Sequence, residues 1–205
     1  MRARLLAVTP GDAHLGRPLQ QLLEAMAGAG LEAVILREPG LGERALVALA
    51  RALSPHFGPG LILHARHPSA LDVASAAGWG LHLPSGADLL EARRRVRGPL
   101  GASCHGSDEL LAAKAAGCDY ALLSPIFPPT SKPSDARPTL GLDGLRRLAL
   151  PDLPIYALGG LTPERGRAAR AAGAMGAAVL GDLFPDGASP EDCAARVRAW
   201  RAALG

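Results

Sequence analysis

Short apolar runs alternate with longer alanine-rich segments along this sequence, and the alternation is the feature that most limits its fold. Eight runs of four or five residues have the composition of strands, and a segment with helical periodicity follows each. Strict alternation of strands and helices is typical of a parallel sheet covered by helices. Eight such units in 205 residues predict a (β/α)8 TIM barrel of the α/β class, formed by a single domain over residues 1–205. The predicted strands cover residues 4–8, 33–36, 61–64, 80–83, 101–104, 120–123, 155–158 and 177–180.

The predicted helices carry start and stop signals. Thr162 and Ser189 each precede a proline, which places a capping residue before the first helical position. Four glycines follow helical runs where a left-handed closing residue is expected, namely Gly30, Gly78, Gly117 and Gly173. A doubly wound nucleotide-binding sheet is disfavoured, because the sequence after the first strand contains no phosphate-binding fingerprint. The predicted helices cover residues 18–29, 42–57, 70–77, 87–96, 108–116, 142–148, 163–172 and 190–204.

Composition excludes several classes of protein. The three cysteines are widely spaced, which argues against a disulfide framework and a zinc ribbon, and no metal-binding cluster is recognisable from spacing. Basic residues exceed acidic ones by only three and aromatic residues make up 3%, so we expect no nucleic-acid partner. The sequence has no apolar run of membrane-spanning length and no signal peptide, which predicts a cytoplasmic protein without a membrane partner. Composition leaves open whether the chain forms a homo-oligomer.

Polar side chains follow several of the predicted strands. Active sites of TIM barrels lie at the carboxyl ends of the strands. Arg37 and Ser103 occupy such positions, as do His64, His82 and His105, which are candidates for acid–base catalysis or substrate contact. A charge directly after a buried strand faces the barrel mouth, so Arg37 is the strongest of these candidates.

Glycines mark a candidate phosphate site. Gly159 and Gly160 follow the seventh strand and Gly181 follows the eighth, where phosphate sites recur in this fold. Glycine lets the backbone come close to a ligand, and its amide N–H can point at an anion. The helix that begins near Thr162 adds the positive end of its dipole.

The longest irregular stretch covers residues 125–141, after the sixth strand. A loop of this length in a compact barrel is usually a lid or a binding loop. Lys132 lies within it, flanked by hydroxyl residues, and is a candidate phosphate ligand.

These features together resemble the family of thiamine phosphate synthases and the related TenI-type thiazole tautomerases. The resemblance extends over nearly the whole chain, and the stretch after strand six combined with the glycine pair is its most specific part. The matching pieces include Leu36-Arg37-Glu38, Gly80-Leu81-His82-Leu83, Gly101-Ala102-Ser103-Cys104-His105, residues 124–132 and residues 154–161.

The resemblance implies an enzyme of thiamine biosynthesis that joins a hydroxymethylpyrimidine diphosphate to a thiazole phosphate and releases pyrophosphate. It implies Arg37 and Lys132 as diphosphate ligands and Ser103 at the reaction centre. Gly160 would bind the phosphate of the thiazole through its backbone. The implied partners are these small phosphorylated substrates, and the implied cofactor of a transferase is Mg²⁺.

The sequence departs from the family pattern at the positions of the metal-binding acids. His64 and Ala65 replace an Asn-Asp pair, and Ala87 replaces a second Asp, although Asp88 is adjacent. Pro125 matches the synthases, whereas the tautomerases have a catalytic His there. Two alternatives to the synthase therefore stay open, namely a thiazole tautomerase and a non-catalytic phosphate-binding homologue that lacks the metal-binding acids.

Overall fold

Eight parallel strands close into a barrel in which each strand pairs with its neighbours in the sequence. The computed structural model describes residues 3–128 and 138–205. The first and last strands close the barrel, with Leu5 opposite Ala177 and Ala7 opposite Val179. The (β/α)8 barrel predicted from the alternation is confirmed. The strands are β1 (Leu5–Val8), β2 (Ala33–Leu36), β3 (Leu61–His64), β4 (Gly80–Leu83), β5 (Leu100–Cys104), β6 (Tyr120–Leu123), β7 (Ile155–Ala157) and β8 (Gly176–Val179).

Eight helices surround the strands, one after each strand. Their ends have the predicted chemistry. The Thr162 side chain accepts a hydrogen bond from the backbone N–H of Arg165, and Ser189 forms a capping box with Asp192. The four closing glycines have positive φ angles, between 72° and 105°. The helices are α1 (Leu19–Gly28), α2 (Glu43–Phe57), α3 (Ala70–Ala77), α4 (Leu89–Arg95), α5 (Ser107–Ala115), α6 (Gly141–Leu148), α7 (Pro163–Ala171) and α8 (Pro190–Leu204).

Some element bounds differ from the prediction. Helix α4 begins two residues later than expected because the Asp88 carboxylate caps it, accepting a hydrogen bond from the backbone N–H of Glu91. Short 3₁₀ turns at Ala13–Leu15 and Gly58–Gly60 were not predicted. Within residues 3–128 and 138–205, every helix is too short or too polar to span a membrane.

The apolar residues form two layers. The larger layer fills the space between the strands and the surrounding helices, and α8 contributes the fully buried Trp200 to it. The smaller layer lies inside the barrel and includes Leu6, Ile35, Tyr120 and Tyr156. Side chains alternate between the two layers along each strand. The inward-facing positions are apolar deep in the barrel and include polar residues near the carboxyl ends of the strands.

Candidate active site at the carboxyl end of the barrel

Arg37 lies at the end of β2 and is held in place by its neighbours. Its backbone N–H donates to the buried Thr9 hydroxyl at 2.8 Å, and its Nη1 donates to the Pro10 carbonyl at 3.3 Å. The adjacent Glu38 is buried, and its carboxylate accepts from the backbone N–H groups of Gly11 at 3.1 Å and Ala13 at 3.0 Å. Glu38 thus fixes the loop after β1 against Arg37, which leaves the guanidinium in a preset position at the mouth.

A second arginine, Arg66, lies beside Arg37. It follows β3, which pairs with β2, and its side chain is exposed. Burial and then the positive charge of Arg66 lower the pKa of Arg37, against the opposing effect of Glu38. Two neighbouring guanidinium groups create a positive potential that attracts anions, and among the described residues only Arg37 of the two has an adjacent carboxylate.

His64 lies near both arginines. Its Nδ1 accepts a hydrogen bond from the backbone N–H of Arg66 at 3.0 Å, so the proton of the neutral ring is on Nε2. Burial, followed by the charges of Arg37 and Arg66, lowers the pKa of His64 to about 4. His64 is therefore neutral at physiological pH.

His82, on β4, is fully buried inside the barrel. Its Nε2 lies 2.9 Å from the Ser103 hydroxyl and its Nδ1 lies 3.1 Å from the Tyr120 hydroxyl. Burial and then the neighbouring His64 hold the pKa of His82 well below its usual value, so this ring is also neutral. Both of its nitrogens already contact protein groups.

His105, after β5, is exposed at the mouth. Its Nδ1 lies 2.7 Å from the carbonyl oxygen of Ser124 and therefore carries the proton that is donated to it. Its Nε2 is on the side of the ring away from this contact. The three histidines named in the sequence thus have three different surroundings, and His105 is the one that is exposed to solvent.

The three candidate glycines line one cavity of about 470 Å³ between the ends of β7 and β8. Thr162, the cap of α7, lines the same cavity. Among the described residues, the N–H groups of Gly160 and Gly181 have no backbone acceptor. The cavity thus combines unpaired amide donors with the positive end of a helix dipole, an arrangement that suits a phosphate group.

A side chain at Gly160 and a side chain at Gly181 would meet different surroundings. A Cβ atom on Gly160, whose φ is +57°, would collide with the Pro128 carbonyl oxygen. A Cβ atom on Gly181 would meet no other atom within 4 Å. The space beside Gly160 is therefore filled by the chain itself, whereas the space beside Gly181 is open.

Asp182 also borders the cavity, but its charge is compensated. Its carboxylate accepts hydrogen bonds from Arg196 at 3.0 Å and from the Trp200 indole at 2.6 Å. These bonds tie the end of β8 to α8. The carboxylate therefore holds the turn after Gly181 in place.

The residues described here do not fit a magnesium ion. Ala65 and Ala87 have no ligand atoms, the Asp88 carboxylate caps α4, and both Glu38 oxygens already accept backbone hydrogen bonds. Over residues 3–128 and 138–205, no group of three His, Cys, Asp or Glu side chains is arranged to hold a metal. Mg²⁺ is bound through carboxylates and substrate phosphates, and among the described residues the carboxylates of Glu38, Asp88 and Asp182 are already engaged by protein groups.

The sequence prediction located most of these residues but missed two. Arg37, Ser103 and the three histidines lie at the carboxyl ends of β2 to β5, while Lys132 lies outside the described residues. These two residues, which were not among the predicted site residues, are Arg66, which lies two positions beyond β3, and Tyr120, which begins β6. An arginine two residues after a strand was the available signal for Arg66.

Comparisons with known proteins find relatives along most of this chain. The family model described as thiamine monophosphate synthase matches residues 5–183. A putative thiamine-phosphate synthase from Geobacter sulfurreducens is 35% identical over 179 residues, which covers 83% of this chain and 82% of that protein. The thiamine-phosphate synthase of Moorella thermoacetica is 35% identical over 189 residues, covering 88% and 87%.

A solved structure has the same fold. The thiamine phosphate pyrophosphorylase from Pyrococcus furiosus superimposes with a TM-score of 0.77 and 24% identity, covering 99% of this chain and 96% of that one. At this identity the likeness supports the barrel fold. The family assignment comes from the family model and the sequence relatives.

Proposed function

Because this chain belongs to the thiamine monophosphate synthase family, we propose that it joins a hydroxymethylpyrimidine diphosphate to a thiazole phosphate. In this reaction the carbon–oxygen bond to the diphosphate breaks, the freed carbon bonds to the thiazole, and pyrophosphate leaves with the electron pair. Residues 1–205 form the single domain that does this, and its partners are these two small phosphorylated molecules.

The observation that carries the proposal is a pair of separate anion-binding features at one mouth. Arg37 and Arg66 follow β2 and β3, whereas the glycine cavity lies between β7 and β8. Strands β3 and β7 are four places apart in a ring of eight, and therefore face each other across the barrel. A reaction between two phosphorylated substrates needs such an arrangement, because it must hold both anions with their reactive ends between them.

The arginine side binds the diphosphate. Arg37 is held by Thr9 and Pro10, so its charge is in position before the substrate arrives. A departing pyrophosphate gains negative charge, and a preset cation stabilises that charge without reorganising. Arg66 adds a second guanidinium, and Lys132, which follows β6 in the sequence, supplies an ammonium group in this proposal.

The glycine side binds the phosphate of the thiazole. The N–H groups of Gly160 and Gly181 supply the donors, and the start of α7 supplies the favourable dipole. Ser103, which is half-buried on β5, contacts the reacting groups in this proposal, since β5 is two places from β3 and two places from β7 in the ring. In this proposal the neutralising charges are those of arginine and lysine, and no step depends on Mg²⁺.

The test is a two-substrate assay with purified protein. We expect pyrophosphate and thiamine phosphate to form in equal amounts when both substrates are present, and neither to form when one is omitted. Arg37→Gln lowers kcat/KM by about 100-fold, the usual scale for loss of one preset charge donor. Arg44→Gln, at an exposed position on α2, serves as the matched control and leaves the rate unchanged. Absence of pyrophosphate from the complete mixture would reject the synthase reaction.

A further inference from the structure

A chain of three hydrogen-bonding side chains runs from the barrel interior to the mouth. It begins at Tyr120 on β6, passes through the His82 ring and ends at Ser103 on β5. Tyr120 and His82 are fully buried, and Ser103 is half-buried. The proposed reaction uses Ser103, whereas nothing so far assigns a role to Tyr120.

Gly101 leaves space for the Tyr120 ring inside the barrel. Gly101 pairs with Tyr120 across β5 and β6, and a Cβ atom on Gly101 would overlap the tyrosine ring. The ring also stacks near His82, with centroids 5.6 Å apart, and meets Tyr156 edge-on at 5.8 Å. These contacts hold the Tyr120 hydroxyl against the His82 ring.

The direction of the hydrogen bonds follows from the buried tyrosine. Among the described residues, the Tyr120 hydroxyl has one hydrogen-bond partner, the Nδ1 atom of His82. If Nδ1 carried the proton, the tyrosine O–H would be buried without an acceptor, which costs about 1–3 kcal/mol. The O–H therefore donates to Nδ1, and the ring proton lies on Nε2.

The protonation states of Tyr120 and His82 are consistent with these hydrogen-bond directions. Burial keeps the pKa of Tyr120 well above its ordinary value, so the hydroxyl retains its proton. The His82 ring is neutral, as described above, and carries a single N–H. That N–H points at the Ser103 oxygen, 2.9 Å away.

We propose that Tyr120, acting through His82, holds the Ser103 hydroxyl as a fixed hydrogen-bond donor aimed at the substrate. Because the Ser103 oxygen accepts from Nε2, its own O–H is free to turn outwards, towards an acceptor atom in the mouth. His82 and Tyr120 are positioning residues, and Ser103 is the group that touches the substrate. This inference rests on the proposed function for the identity of that substrate.

The direct test is the protonation of the His82 ring, measured by ¹⁵N NMR on the intact protein at neutral pH. We expect the Nε2-protonated form in the native protein, and a mixture of the two neutral forms in Tyr120→Phe. An Nδ1-protonated ring in the native protein would overturn the proposal. This measurement needs no turnover, so it decides the inference even if the synthase assay fails.

The kinetic test is a double-mutant cycle between Tyr120→Phe and Ser103→Ala. We expect Tyr120→Phe to lower kcat about 10-fold with KM unchanged, since it misdirects a donor instead of removing a binding contact. In the Ser103→Ala background the same change has no further effect. Full additivity of the two changes, or an unchanged kcat in Tyr120→Phe, would contradict the proposal.

Tyr156→Phe is the matched control. Tyr156 also loses a buried hydroxyl in this variant, but that hydroxyl donates to the Ala3 carbonyl at 2.5 Å, away from Ser103. We expect reduced stability with native kcat and a native His82 spectrum. An equal loss of kcat in the two tyrosine variants would assign the effect to general destabilisation and overturn the positioning role.

Discussion

At the scale of single residues, the mouth of this barrel is defined by cations that have few anionic neighbours. Arg37 has one adjacent carboxylate, Glu38, and both oxygens of that carboxylate are used by backbone N–H groups. Arg66 adds a second positive charge beside it, and the two charges oppose each other. An anion placed between them relieves this repulsion, which is why we assign the diphosphate to this side.

The arginine pair leads to a prediction about metal dependence. Arg66→Gln is expected to weaken binding of inorganic pyrophosphate about 10-fold or more, since one charged hydrogen bond contributes about 1.5–3 kcal/mol. Removal of Mg²⁺ with a chelator leaves the affinity of the native protein unchanged, because the carboxylates of Glu38, Asp88 and Asp182 are already engaged by protein groups. Calorimetric titration with and without the chelator measures both effects. Pyrophosphate binding that disappears with the metal would contradict this prediction.

His64 leads to a prediction about pH. Its pKa is about 4 in the folded protein, against an ordinary value of 6.5. The unfolded chain therefore binds more protons between these values, so the stability of the fold decreases as the pH falls through this window. We expect His64 to contribute about 3 kcal/mol to that decrease, and the contribution levels off below pH 4.

Urea unfolding of the native protein and His64→Gln at pH 7 and pH 4 measures this contribution. In the variant, the free energy of unfolding depends less on pH. The remaining dependence includes the contribution of the buried His82. His56→Gln, at an exposed position on α2, is the control and keeps the native dependence. Equal pH dependence in His64→Gln and the native protein would rule out the assigned role of burial.

At the scale of the elements, the barrel could be predicted from the alternation of strands and helices, and the helix ends could be predicted because they depend on local chemistry. Thr162 and Ser189 cap helices for reasons that lie within three residues of each. The contact between Gly101 and Tyr120 could not be predicted, since it joins two strands through the register of β5 on β6. The positions of Arg37 and Ser103 could be predicted because each residue lies at a strand end. The series of hydrogen bonds through Tyr120 could not be predicted, because it depends on how the strands pack.

The packing of β5 against β6 gives a prediction about stability. Gly101→Ala places a methyl group in the space of the Tyr120 ring, and such overpacking costs about 1–3 kcal/mol. Gly106→Ala is the matched control, because its φ of −167° is extended and a Cβ atom there meets nothing within 4 Å. The midpoint of urea unfolding is the measurement. Equal midpoints for the two variants would show that the Tyr120 ring can move aside at little cost.

At the scale of the whole molecule, the closed barrel brings distant parts of the sequence to one mouth. Arg37 and Gly181 are separated by 144 residues and lie at the ends of β2 and β8, two places apart in the ring. The bonds from Asp182 to Arg196 and Trp200 fix the second site against α8. The central claim is that the mouth holds two separate anion sites, one for each substrate.

Calorimetric titration of the two sites by separate variants tests that claim most directly. The native protein is expected to bind thiazole phosphate when already saturated with inorganic pyrophosphate. Arg37→Gln loses pyrophosphate binding and keeps thiazole phosphate binding. Gly181→Asp, which puts a carboxylate into an open space without backbone strain, has the opposite effect, whereas Gly28→Asp at the other end of the barrel changes neither. Competition between the two ligands for one site, or loss of both affinities in either variant, would contradict the account.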